Sequence, residues 1–167
     1  MKNIFLVGMP SSGKTTLGKT LARHLRYRFL DTDKMIVQQT GLSIKNIFDQ
    51  KGEAHFRTLE AATLRAIVPN HKLVVATGGG LPCFLGNMAY IKQNGISVFL
   101  DVPPPEILKR ILHQQANDRP MFDKHNDELL ASIQQKYNER YETYLHADIH
   151  IESATTTVHE LIKELQI

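Results

Sequence analysis

The chain has 167 residues, 42% of them hydrophobic, enough apolar side chain for one domain with a full core. Its net charge is only +3 with a pI near 9.0, and no Lys/Arg block interleaved with aromatics occurs, which argues against nucleic acid as a partner and suits a site for small anions. A single cysteine, Cys83, excludes an internal disulfide framework, and the apolar start before Gly8 is too short for a secretion signal or a membrane span, so a cytoplasmic protein with no membrane partner is expected.

The first predicted element is a strand over Asn3–Val7. Gly8-Met9-Pro10-Ser11-Ser12-Gly13-Lys14-Thr15 follows it and matches G-x-x-x-x-G-K-[ST] in full. Leu17, Leu21, Ala22 and Leu25 then share one helical face, so the motif stands between strand and helix, the setting it requires. Gly8 and Gly13 let the backbone curl until the N–H groups around Ser11 and Ser12 face phosphates at the helix N-terminus. Lys14 reaches the β- and γ-phosphates, and the Thr15 hydroxyl suits Mg²⁺, a cation that prefers oxygen ligands.

A second strand, Arg28–Asp31, runs into Asp31-Thr32-Asp33, two carboxylates at alternate positions beside the phosphate loop. One can hold Mg²⁺ through water while the other accepts a hydrogen bond from an attacking hydroxyl. Asp33 can also cap a helix beginning at Lys34. The stretch Lys34–Ile67 reads as helical with breaks near Gly41 and Gly52, longer than a minimal crossover, and is expected to be an acceptor-binding insertion (about 33–61). Within it, Phe56-Arg57-x-x-Glu60 places Arg57 and Glu60 one turn apart as an i,i+3 pair.

The third strand, Leu73–Thr77, ends in Gly78-Gly79-Gly80, where the backbone lies bare enough for a ligand to approach. A fourth, Ser97–Asp101, ends in a carboxylate that rivals Asp31 as a magnesium group, although the Pro103-Pro104-Pro105 signal just after it favours a role at the strand end or helix entry. Ile107, Leu108, Ile111 and Leu112 form the next helical face. The polar segment 113–126 carries Arg119-Pro120 and is expected to be a lid over phosphates. Leu130, Ile133, Tyr137, Tyr141 and Tyr144 form a core stripe, Ala147–Ile151 a fifth strand, and Thr157-x-x-Glu160 a capping box before a last helix with Val158, Leu161, Ile162 and Leu165. The eight histidines follow no metal-ligand spacing, and His146 and His150 are expected in loops or at the surface. Apolar runs alternating with helical segments predict an α/β chain, a three-layer α/β/α fold on a five-stranded parallel sheet.

Taken in order, the P-loop, Asp31-Thr32-Asp33, Phe56-Arg57-x-x-Glu60, Thr77-Gly78-Gly79-Gly80, Arg119-Pro120 and Arg140-x-x-x-Tyr144 resemble the motif series of shikimate kinases across nearly the whole chain. The resemblance implies a single kinase domain over 1–167 that transfers the γ-phosphoryl group of ATP to the 3-hydroxyl of shikimate. It implies that Asp33, Arg57, Gly79, Gly80 and Arg140 hold shikimate, with Asp33 as the base or orienting group and the arginines on the carboxylate. Lys14 and Arg119 would offset charge on the moving phosphoryl group, and Thr15 and Asp31 would serve Mg²⁺. Gly8, Ser11, Ser12, Gly13, Lys14, Thr15, Thr16 and Arg119 would contact the nucleotide, with Arg110 against the adenine. After the last strand, Glu152-Ser153-Ala154-Thr155 departs from the Asn/Arg-containing adenine loop of such relatives. Gluconate kinases share the phosphate loop but need no paired arginines and triple glycine. A monomer is expected from the small, unbroken domain.

Overall fold

In the computed structural model, residues 2–115, 124–152 and 155–166 are described. The strands are β1 (Asn3–Val7), β2 (Arg28–Asp31), β3 (Leu73–Ala76), β4 (Gly95–Asp101) and β5 (Ile149–Glu152). They form one parallel sheet in the order β2-β3-β1-β4-β5, with Ile4 opposite Val74 and Ile96, and Asp101 opposite Glu152. The helices are α1 (Lys14–Leu25), α2 (Thr32–Thr40), α3 (Ile44–Lys51), α4 (Glu53–Arg65), α5 (Asn87–Asn94), α6 (Pro104–Gln115), α7 (Lys124–Tyr144) and α8 (Val158–Leu165). The five predicted strands are all present. β4 begins two residues before the expected Ser97, and β5 starts two after the expected Ala147, because Asp148 turns back to accept hydrogen bonds from the Ser97 backbone N–H and hydroxyl.

Strand alternation divides the core. Ile4, Leu6, Val74, Val98 and Leu100 face α1 and α8, whose Leu21, Leu161 and Leu165 cover them. Phe5, Val7, Val75 and Phe99 point to the other side, where Leu64, Ile91, Ile107, Ile133 and Tyr144 from α4–α7 pack. Both faces are therefore buried, as continuous apolar strands require, and the three layers follow.

The expected long helical insertion is three helices, the first two each ended by glycine. Gly41 (φ 70°) follows α2 and Gly52 (φ 83°) separates α3 from α4, conformations that side-chain-bearing residues rarely take. Ile36, Ile47 and Phe56 give these helices a small core of their own. The last helix begins with the full predicted capping box: Thr157 Oγ1 accepts from the Glu160 N–H, and the Glu160 carboxylate accepts from the Thr157 N–H at 2.7 Å. Among the described residues no helix is long and apolar enough to cross a membrane.

Candidate active site

All strands being parallel, the loops after β1, β2, β3 and β4 emerge at one edge of the sheet, where ligand sites of open α/β folds gather. The loop after β1 has the curl that the motif predicts. Gly8 has φ 141° and Gly13 φ 97°, and a Cβ on Gly8 would stand 2.7 Å from the Leu100 carbonyl oxygen, so alanine does not fit there. Lys14 is buried, and its Nζ donates to the carbonyls of Gly8 (2.9 Å) and Met9 (2.6 Å) and to Ser12 Oγ (3.3 Å). Burial pulls its pKa from 10.5 to about 8, against the opposing pull of Asp33 and Asp31.

A cleft of about 910 Å³ opens beside this loop, lined by Ser12, Lys14, Thr16, Lys109, Arg110 and Thr156 among others. Arg110 of α6 donates to the Ser11 carbonyl at 3.3 Å and to Glu106 at 3.3 Å, which holds it on the loop's rim. Lys109 and Thr156 were not predicted as lining; only the packing of α6 and the segment before α8 against the loop brings them there.

The acidic pair after β2 divides its tasks differently from one sequence expectation. Asp31, not Asp33, caps α2: its Oδ1 accepts from the Lys34 N–H at 3.2 Å. The helix begins at Thr32, two residues earlier than expected, so the residue in extended conformation before it is Asp31. Its other oxygen accepts from the Thr15 hydroxyl at 3.0 Å, joining a hydroxyl and a carboxylate beside the phosphate loop. Asp33 is thereby released from capping. Its Oδ1 is buried and accepts no hydrogen bond among the described residues. Burial, then the Asp31 charge, raises its pKa, while Lys14 and Arg57 pull it down. Asp33 thus lies within the fields of both the phosphate-loop lysine and an arginine of α4.

The triple glycine packs against the site's own side chains. A Cβ on Gly78 would stand 2.5 Å from Asp33 Oδ1, one on Gly79 2.6 Å from Pro10 Cδ, and one on Gly80 2.5 Å from Arg57 Nη1. Bare backbone is required here because three neighbouring elements converge on one turn. The turn is held from below by Tyr144, fully buried, whose hydroxyl donates to the Gly79 carbonyl at 2.6 Å, and from the side by Thr32 Oγ1, which accepts from the Gly78 N–H at 2.9 Å.

The expected Arg57–Glu60 pair forms at 2.8 Å, with the Glu60 side chain 1% exposed. Glu53, more open, accepts from Arg57 Nη2 at 2.9 Å. Burial raises the Glu60 pKa in spite of the guanidinium beside it. Arg140 of α7, 83 residues from Arg57 in the sequence, is near enough for its charge to act on Lys14, Glu60 and Tyr144, and the charge of Arg57 acts on Glu60 and Tyr144 as well. Arg119 and the core of the expected lid, 116–123, lie outside the described residues, as do Ser153 and Ala154.

Asp101 has other partners. Tyr137 donates to its Oδ1 at 2.8 Å, and His150 Nε2 lies 2.8 Å from Oδ2, with the imidazole stacked on Phe99 at 4.9 Å. The strand-end role expected of Asp101 therefore holds, and His150 is exposed as expected, although it stands in β5 directly opposite Phe99 and not in a loop.

A phosphate-cradling loop on a parallel sheet, with a buried carboxylate oxygen unpartnered among the described residues at the same edge, defines a P-loop kinase. The model of the family described as shikimate kinase matches residues 10–166, and the chain belongs to that family. It is 43% identical over 165 residues to a shikimate kinase of a Sulfurihydrogenibium species, covering 99% of this chain and 96% of that one. Among solved structures, the shikimate kinase of Bacteroides thetaiotaomicron superposes with a TM-score of 0.90 at 34% identity, covering 99% and 98% of the two chains. The Acinetobacter baumannii enzyme in complex with shikimate gives 0.82 at 33% identity, covering 99% of this chain and 91% of the other.

Proposed function

We propose that the protein transfers the γ-phosphoryl group of ATP to the 3-hydroxyl of shikimate, giving 3-phosphoshikimate and ADP. Asp33 carries this reading, because its buried Oδ1, unpartnered among the described residues, lies between the field of the phosphate-loop Lys14 and that of Arg57. An acceptor hydroxyl donating to that oxygen gains the hydrogen bond that Asp33 lacks, and its own oxygen is aimed at the phosphorus. The raised pKa makes the carboxylate a better proton acceptor than an ordinary aspartate.

The other residues position and neutralise. Arg57 and Arg140 grip the acceptor carboxylate, whose planar fork of oxygens matches a guanidinium. Gly79 and Gly80 keep the pocket floor free of side chains. Lys14 leaves its carbonyl partners for the phosphate oxygens, and Arg119, in the segment 113–126 read as the lid, would offset charge on the moving phosphoryl group. Gly8, Ser11, Ser12, Gly13, Thr15 and Thr16 surround the phosphates, and Arg110 lies against the base. The Thr15 hydroxyl and Asp31, oxygen donors 3.0 Å apart, fit a hard cation and would hold Mg²⁺, which supplies charge neutralisation on the β- and γ-phosphates. The insertion, 33–61, is the acceptor-binding subregion. The protein acts as a cytoplasmic monomer.

ADP release from the purified protein with Mg-ATP tests the reading, comparing shikimate, gluconate, nucleoside monophosphates and no acceptor. ADP that depends on shikimate is the expected result; ADP formed equally without acceptor, or with gluconate in its place, refutes it.

A further inference from the structure

Arg57 is enclosed by aromatic rings. Its Cζ lies 4.1 Å from the centroid of Phe84, 5.5 Å from Phe56 and 5.9 Å from Phe48. Phe48 and Phe56 belong to the small core of the helical insertion, so their places are explained by packing. Phe84 belongs to none of the apolar clusters of the described residues, and it is 36% exposed. A large ring left partly in water, centred over a guanidinium, calls for another reason than core burial.

The segment that carries Phe84 is held in a strained shape. Leu85, immediately after it, has φ 50°, a left-handed conformation that disfavours a side-chain-bearing residue. Two anchors impose it. Arg65 donates to the Leu85 carbonyl at 3.0 Å and to Asn87 Oδ1 at 2.8 Å, and Asn87, fully buried, donates to the Leu81 carbonyl at 2.8 Å. Strain maintained by these hydrogen bonds fixes where the Phe84 ring lies.

The hydrogen-bond inventory of Arg57 gives that ring a purpose. Of the five N–H bonds of a guanidinium, Nε and Nη2 each give one to Glu53 and Nη1 gives one to Glu60, which among the described residues leaves two for a ligand. The glutamates fix the edges of the guanidinium, while Phe84 covers a face. We propose that Phe84 is a positioning residue for the acceptor: its ring holds the Arg57 plane in the orientation that receives the carboxylate and keeps water from that face. This rests on the reading of Arg57 as a ligand of the shikimate carboxylate.

Steady-state kinetics with varied shikimate at saturating Mg-ATP, on the native protein and on Phe84→Leu and Phe84→Tyr, tests it. Leucine keeps apolar bulk without a π face, and tyrosine keeps the face. Phe84→Leu should raise the shikimate KM by roughly three- to tenfold, the range of a part-exposed cation–π contact, with kcat and the ATP KM within about twofold of native. Phe84→Tyr should restore the native KM. An unchanged KM in Phe84→Leu, or an equal loss in both variants, overturns the role of Phe84 alone, whereas a native protein without shikimate-dependent turnover overturns the reading beneath it as well.

Discussion

Arg57→Ala should destabilise the protein by an amount that depends on pH, because of what it leaves behind. Glu60 is 1% exposed and 2.8 Å from the Arg57 guanidinium, so removing the arginine strands a carboxylate in the interior. Breaking a buried pair in this way costs about 3–5 kcal/mol. The Glu53 contact adds little, since Glu53 is 59% exposed and such pairs contribute at most about 1 kcal/mol. Glu60 already has a raised pKa through burial, and losing Arg57 removes the strongest opposing pull, so the value rises further. The native state then holds a proton that the unfolded chain releases above its ordinary value of 4.5. Stability therefore falls as pH rises through the window above 4.5, by at most about 1.4 kcal/mol per unit. The variant should lie close to the native protein near pH 5 and well below it at pH 8. Urea unfolding followed by far-UV circular dichroism at the two pH values measures this, and adding Glu60→Gln to the variant should recover most of the loss at pH 8. A loss that is equal at both pH values, or below about 1 kcal/mol at pH 8, would refute the argument from the stranded carboxylate.

Two further outcomes follow from the loop and the acidic pair. Asp33→Asn should reduce kcat by at least about a hundredfold, the usual scale for a lost general base, while leaving nucleotide affinity within about threefold; kinetics and calorimetry on one preparation check both. Lys14, with its pKa near 8, is largely neutral at pH 9, and phosphate binding restores its charge, so nucleotide binding above pH 8 should take up a proton. Affinity should weaken toward pH 9, by about tenfold per unit at most. Titration calorimetry in buffers of different ionisation enthalpy counts that proton; a count near zero at pH 9 removes Lys14 as the linked group.

Local chemistry left much of this protein legible. The phosphate loop needs only its own eight residues between a strand and a helix, and Gly41, Gly52 and the Thr157–Glu160 box punctuate helices by rules confined to a turn or two. The Arg57–Glu60 pair is equally local, since residues three apart on a helix are neighbours wherever the helix lies. Asp33 satisfies the capping pattern in sequence, but α2 begins at Thr32, so Asp31 takes the cap while its second oxygen accepts from Thr15. The surface place of His150 was legible, but its partners were not: only the β4–β5 register sets it opposite Phe99 and beside Asp101.

Contacts across long separations belonged to the tertiary structure alone. The triple glycine announced a bare turn, but only the approach of α2, the phosphate loop and α4 showed that Asp33, Pro10 and Arg57 occupy the space a Cβ would take. Tyr144 reads as one more residue of an apolar stripe until its hydroxyl is seen on the Gly79 carbonyl, 65 residues away. The physical reason is one of range. Propensity, capping and helical pairing act within a few residues, whereas the pocket joins side chains from the far ends of the chain, brought together by the order in which the strands pair.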